Sequence, residues 1–153
     1  MTRTFLFLVA LAALVAAGCG SSPKTVSKAE YERELQRIGQ DLTDAGSELG
    51  RSIDIATFNG NVDKLRDQLN ESADELRGLK PPADVQDANS RLADALDDFA
   101  DELEPVKEAR RESIVKARAA LLRVSKSDAV KQARAAVREL KAKGYDIGQF
   151  GSL

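Results

Sequence analysis

The sequence predicts an all-α fold, an antiparallel helical bundle of about four helices, the third long and kinked at Pro105. Three observations carry that reading. Charged residues are 31% of the chain, aromatics 5%, and Trp is absent; a composition so rich in Ala, Glu, Asp, Arg and Leu forms long helices. Apolar residues recur at steps of three and four from Tyr31 to Leu140, the period of a helix with one buried face. No stretch alternates with period two under β-branched residues for long enough to build a sheet.

The bundle is expected at residues 27–153, behind a signal peptide and a tether. Arg3 is the only charge before residue 24, and Phe5 to Ala17 form an uncharged run closed by small residues. That is the layout of a secretory signal. The run is about 13 residues, short of the roughly 20 that cross a bilayer, so it reads as a signal peptide (1–18) and not as a retained transmembrane helix. Ala16-Ala17-Gly18-Cys19 resembles the bacterial lipobox, in which small residues precede a cysteine that becomes the first residue of the mature protein. The family usually has Leu where Ala16 stands. The resemblance implies cleavage between Gly18 and Cys19, a diacylglyceryl group on the Cys19 thiol, and attachment to the cell membrane facing outside the cytoplasm. Ordinary signal peptidase cleavage after Ala17 is the alternative, since Val15 and Ala17 are small. Two acyl chains suffice for stable attachment where one does not. Cys19 is the only cysteine, so there is no intramolecular disulfide and packing must supply the stability. Residues 19–26 then serve as a small, polar, flexible tether.

Ser27-Lys28-Ala29-Glu30 fits a capping box that opens the first helix. Tyr31, Leu35, Ile38, Leu42, Ala45, Leu49 and Ile53 give it one apolar stripe. Gly39, Gly46 and Gly50 weaken it by up to about 1 kcal/mol each; close helix approach is the expected compensation, with a local break near Gly50 as the alternative. Phe58-Asn59-Gly60-Asn61 reads as the first turn, because Asn-Gly tolerates positive φ. The second helix follows to about Leu79, with Val62, Leu65, Leu69, Ala73, Leu76 and Leu79 inward and Asp63, Asp67, Glu71 and Asp74 as an acidic stripe. Pro81 and Pro82 end it.

The third helix begins near Pro82 to Asp84. Val85, Ala88, Leu92, Leu96, Phe99, Leu103 and Val106 continue inward, and the stripe resumes with Ile114, Ala117, Leu121 and Val124. Pro105 costs about 3 kcal/mol inside a helix, yet no Gly or Asn lies nearby to build a turn. One long helix kinked at Pro105 is therefore expected in place of two. Ser125-Lys126-Ser127-Asp128 caps the last helix, which turns Val130, Ala133, Val137 and Leu140 inward. Gly144 is its left-handed terminator, with Tyr145 folding back, and Ile147 and Phe150 seal the end of the bundle.

The formal net charge of −2 hides two opposed parts. Ser27 to Glu104 carries twenty acidic and nine basic residues, whereas Pro105 to Lys143 carries twelve basic and four acidic. Internally, antiparallel packing would set the basic segments against the acidic ones and fix which helix neighbours which. Externally, Lys131, Arg134, Arg138 and Lys141, spaced 3, 4 and 3, would form an exposed basic stripe for anionic headgroups or an anionic envelope polymer. Nucleic acid is not expected as a partner, since no aromatic residues interleave with the basic ones.

Nothing in the chain spells catalysis. There is no His, which removes the commonest general base and metal ligand, and lipidation would consume the only thiol. Zinc and Glu-x-x-His di-iron sites are excluded on inventory, and no metal or cofactor is expected. Ser113-Ile114-Val115-Lys116 spells the S-x-x-K of penicillin-recognising enzymes, but Ser21-Ser22-Pro23-Lys24 spells it too, and the S-D-N and K-T-G partners are missing. Asp94, Asp97, Asp98, Asp101, Glu102 and Glu104 read as a solvated acidic face; they lack the glycine turn and ligand order of an EF-hand.

Leu76-Arg77-Gly78-Leu79-Lys80-Pro81-Pro82-Ala83-Asp84 and Lys143-Gly144-Tyr145-Asp146-Ile147-Gly148 resemble junctions of small uncharacterised lipoproteins of actinobacterial type. The resemblance implies a helical lipoprotein domain and no activity. The expectation is a lipid-anchored, non-catalytic interaction or scaffold module of the cell envelope, with binding of an anionic lipid or polymer by the basic C-terminal helix as the alternative.

Overall fold

The computed structural model describes residues 25–152; the signal peptide, the lipobox, Cys19 and most of the tether lie outside them. All regular structure among the described residues is helical: α1 (Lys28–Gly50), α2 (Ile55–Gly78), α3 (Gln86–Glu102), α4 (Glu104–Glu112), α5 (Ile114–Val124) and α6 (Asp128–Ala142), with 3-10 turns at Ala83–Val85 and Gly148–Ser152.

The capping box at Ser27 forms as expected, with the Glu30 carboxylate accepting from the Ser27 N–H at 2.8 Å. Tyr31, Leu35, Ile38, Leu42 and Leu49 are buried, and α1 packs on α2 in the opposite direction. Arg37 meets Glu75 near one end of that pair and Glu48 meets Lys64 near the other. Val26, inside the stretch read as tether, is already docked through its N–H on Lys80 O at 2.9 Å.

The first turn is not at Asn59-Gly60. Those residues lie within α2, which begins at Ile55 behind an Asp54 cap whose carboxylate accepts from the Thr57 N–H at 2.8 Å. The turn is Arg51 to Asp54, and it strands Ile53 at 91% exposure, outside the stripe assigned to it. Asn61 has a different task, donating to Glu48 O at 3.0 Å and so satisfying a carbonyl at the open end of α1. Gly39 provides the close approach expected of it, with the Phe150 N at 2.9 Å from where a Cβ would stand; Gly46 and Gly50 approach nothing within 4 Å.

The kinked third helix is three segments. α3 and α4 are separated by Leu103 alone, whose torsions of −80° and −22° stay helical. Pro105 falls in the first turn of α4, where its missing N–H costs nothing. The true break is Ser113, fully extended at φ −168° and ψ 158°. From there α5 doubles back along α4, so that Pro105 and Arg123 border one groove. Ile114, expected inward, sits at this corner and is 44% exposed.

α3 packs between α2 and α6. The sharp exit from α6 uses Gly144 at φ +78°: Tyr145 N–H bonds to Leu140 O at 3.1 Å and Gly144 N–H to Lys141 O at 2.9 Å, the paired bonds of a Schellman ending. Tyr145, Ile147 and Phe150 are buried. They run beside α1 and do not cap an end, with Lys28 bonded to Gly144 O at 2.7 Å and Phe150 reaching Gly39.

Candidate functional site

α6 presents two faces because its apolar residues repeat at helical spacing. Val130, Ala133, Ala136, Val137 and Leu140 are buried against the core, and Ser127 caps the helix by accepting from the Val130 N–H at 3.3 Å. The adjoining face carries Lys131, Arg134, Arg138 and Lys141, all exposed. Residues at these spacings fall on one side of a helix.

The ion pairs show how far the acidic and basic parts neutralise each other. Lys131 is held by Asp128, one turn back, at 2.8 Å, and its hydrogen bond keeps the Asp128 carboxyl below its usual range. Arg134, Arg138 and Lys141 have no ion-pair partner among the described residues. Glu139, the nearest acidic residue in sequence, is turned away to Arg91 of α3 and to Lys143; those bonds hold its carboxyl below the usual range, Arg91 first. Internal neutralisation of the basic part by the acidic part is realised chiefly at Lys107, buried to 14% side-chain exposure between Asp63 at 2.6 Å and Glu104 at 3.8 Å. The acidic part mostly pairs within itself, as Arg77 does with Asp94 and Asp97.

Further unpaired cations lie outside the α6 stripe. Arg118, Arg123 and Lys126, on α5 and the turn after it, are exposed and also make no ion pair among the described residues. The signal was visible: no acidic residue stands between Glu112 and Asp128.

The residues that resemble chemistry have structural occupations. Ser113 Oγ caps α5 by accepting from the Lys116 N–H at 3.1 Å, while the Lys116 ammonium pairs with Glu112. Within the acidic run, Asp94 and Asp97 hold Arg77 and Glu104 holds Arg66 at 2.8 Å. Among the described residues no group of three or more potential ligands could hold a metal ion, and no helix is long and apolar enough to cross a membrane. Gly18, Cys19 and the second S-x-x-K lie outside the described residues. Comparison of the chain with protein-family models, curated proteins and solved structures found no match.

Proposed function

We propose that this protein is a lipid-anchored, non-catalytic module of the cell envelope that works by docking, and that its working surface is the basic face of α6. We take α1, α2, α3 and α6 as the antiparallel bundle of about four helices, with the α4–α5 hairpin as an addition to it. One observation carries the choice of surface: Arg134, Arg138 and Lys141 stand exposed on one face without carboxylate partners among the described residues. Unpaired cations near an anionic surface each contribute about 1 kcal/mol, whereas exposed ion pairs within a protein contribute about 0–1 kcal/mol. The partner class is a dense anionic array, either lipid headgroups or an envelope polymer.

The anchor rests on the lipobox resemblance at Ala16 to Cys19. Metabolic labelling with a fatty acid tests it: label enters the wild-type chain and is lost in Cys19→Ser, and equal labelling of both defeats the anchor. Flotation of the Cys19→Ser chain with anionic and with neutral vesicles tests the surface, and a soluble anionic polymer as competitor separates the two partner classes. Indifference to vesicle charge, with no effect of polymer, defeats the docking surface.

A further inference from the structure

We propose that the seam between α1 and α6 is a binding site for a single acyl chain ending in an anionic head group. α1 packs on α2 and on the C-terminal 3-10 turn, and α6 packs on α3, so α1 and α6 face each other across a gap. Over the first half of α1 that gap is closed by Tyr145, Ile147 and Phe150. The filling stops at Gly39, where Phe150 sits. One turn further along α1 the seam opens into a cavity of about 320 Å³, walled by Leu42, Leu65, Leu69, Leu96, Phe99 and Val130. That size falls at the lower end of small-ligand pockets, which are mostly apolar with a few placed polar groups.

The lining states the chemistry of the occupant. The cavity's walls are mainly aliphatic and aromatic, contributed by all four helices, with Ser125 and Arg134 the polar side chains on them. A run of methylenes fills it and gains both apolar burial and dispersion contacts. The one charged residue on the lining is Arg134, with no carboxylate among its neighbours there and no ion pair among the described residues. A guanidinium at one end of an apolar slot recognises a carboxylate or phosphate, to which it binds through paired hydrogen bonds. The mouth is at Gly46, where nothing lies within 4 Å of the Cβ position.

Free fatty acids and monoacyl phospholipids share this chemistry, and the test separates them. The full chain, in membrane vesicles from expressing cells, is irradiated with a diazirine-bearing palmitate and, in parallel, with the matching uncharged alcohol. Crosslinks are mapped by mass spectrometry. The palmitate is expected on peptides spanning residues 42–46, 65–69, 96–99 or 130–134. Gly46→Phe, which places a ring over the mouth without a backbone clash, removes these crosslinks. Arg134→Gln lowers the yield about tenfold for the acid, the loss of one charge-assisted contact, and leaves the alcohol unchanged. Competition by unlabelled palmitate or by lysophosphatidylglycerol then names the source. Crosslinks scattered outside the cavity, unaltered yield in Gly46→Phe, or competition by neither lipid overturns the proposal. Such a failure leaves the basic-face reading intact, because flotation also reads Arg138 and Lys141, which do not line the cavity.

Discussion

Tyr31 and Asn89 form a polar link within the largely apolar core. The Tyr31 hydroxyl, on a residue with no solvent exposure, donates to Asn89 Oδ1 at 2.9 Å, and Asn89 Nδ2 donates to Leu76 O at 2.7 Å. The asparagine on α3 thereby fixes α1 and also satisfies one of the last carbonyls of α2. Asn89→Leu strands a buried hydroxyl and a buried carbonyl, each costing about 1–3 kcal/mol. Its denaturant midpoint is expected to fall further than that of Tyr31→Phe, which strands one acceptor. Burial, and then the charge of Tyr145, push the Tyr31 phenol above its ordinary value of 10.0. Burial, and then the hydrogen bond to Asp84, raise Tyr145 as well. The folded chain thus keeps these protons to higher pH than the unfolded chain. Their contribution is complete below the unfolded value and is lost as pH rises through the raised folded values. The melting temperature is expected to fall above about pH 10, less steeply in Tyr31→Phe; a flat profile in the wild type contradicts this.

The connections between elements carry two further expectations. Ser113→Ala removes the cap of α5 at the sharpest corner of the chain and costs about 1 kcal/mol. Hydrogen exchange should show the α4–α5 hairpin opening locally, with α1 to α3 unchanged. Gly39→Ala places a methyl group 2.9 Å from the Phe150 backbone and expels the C-terminal turn, an overpacking cost of about 1–3 kcal/mol. Limited proteolysis should then cut near Phe150, where the wild type resists. These same positions show what was legible in the residue order. The Ser27 box, the buried leucines of α1 to α3 and the Gly144 ending were readable because each is a local rule obeyed over one or two turns. The first turn was misplaced because Asn-Gly carries a strong loop signal. Asp54 was the better cue, being a capping residue three positions before Thr57. The break at Ser113 was missed because its apolar periodicity continues through the corner into Ala117 and Val124, so a period of 3.6 could not register the reversal. Where the tail lies was not readable at all. Phe150 against Gly39 is a contact 111 positions apart in sequence, set only by assembly.

For the molecule as a whole, the distribution of charge is the organising fact. A net of −2 would leave the chain indifferent to an anionic surface if its charges were mixed. Instead the carboxylates of α1 to α3 pair mainly with arginines and lysines of those same helices, and among the described residues Arg118, Arg123, Lys126, Arg134, Arg138 and Lys141 are left without an ion pair. At physiological salt, fields are screened within about 8 Å, so in the proposed docking the local face and not the net charge would govern binding. Only part of this was legible in the sequence. The segregation could be counted, but whether the opposed parts cancel depends on which side chains meet. The most direct test is the fraction of the Cys19→Ser chain that floats with anionic vesicles at 0.15 M salt, compared with the same chain carrying Arg134→Gln, Arg138→Gln and Lys141→Gln. At about 1 kcal/mol per cation, the account predicts roughly a hundredfold weaker partitioning for the triple variant and only background binding of either chain to neutral vesicles. Equal partitioning of the two chains onto anionic vesicles would contradict it.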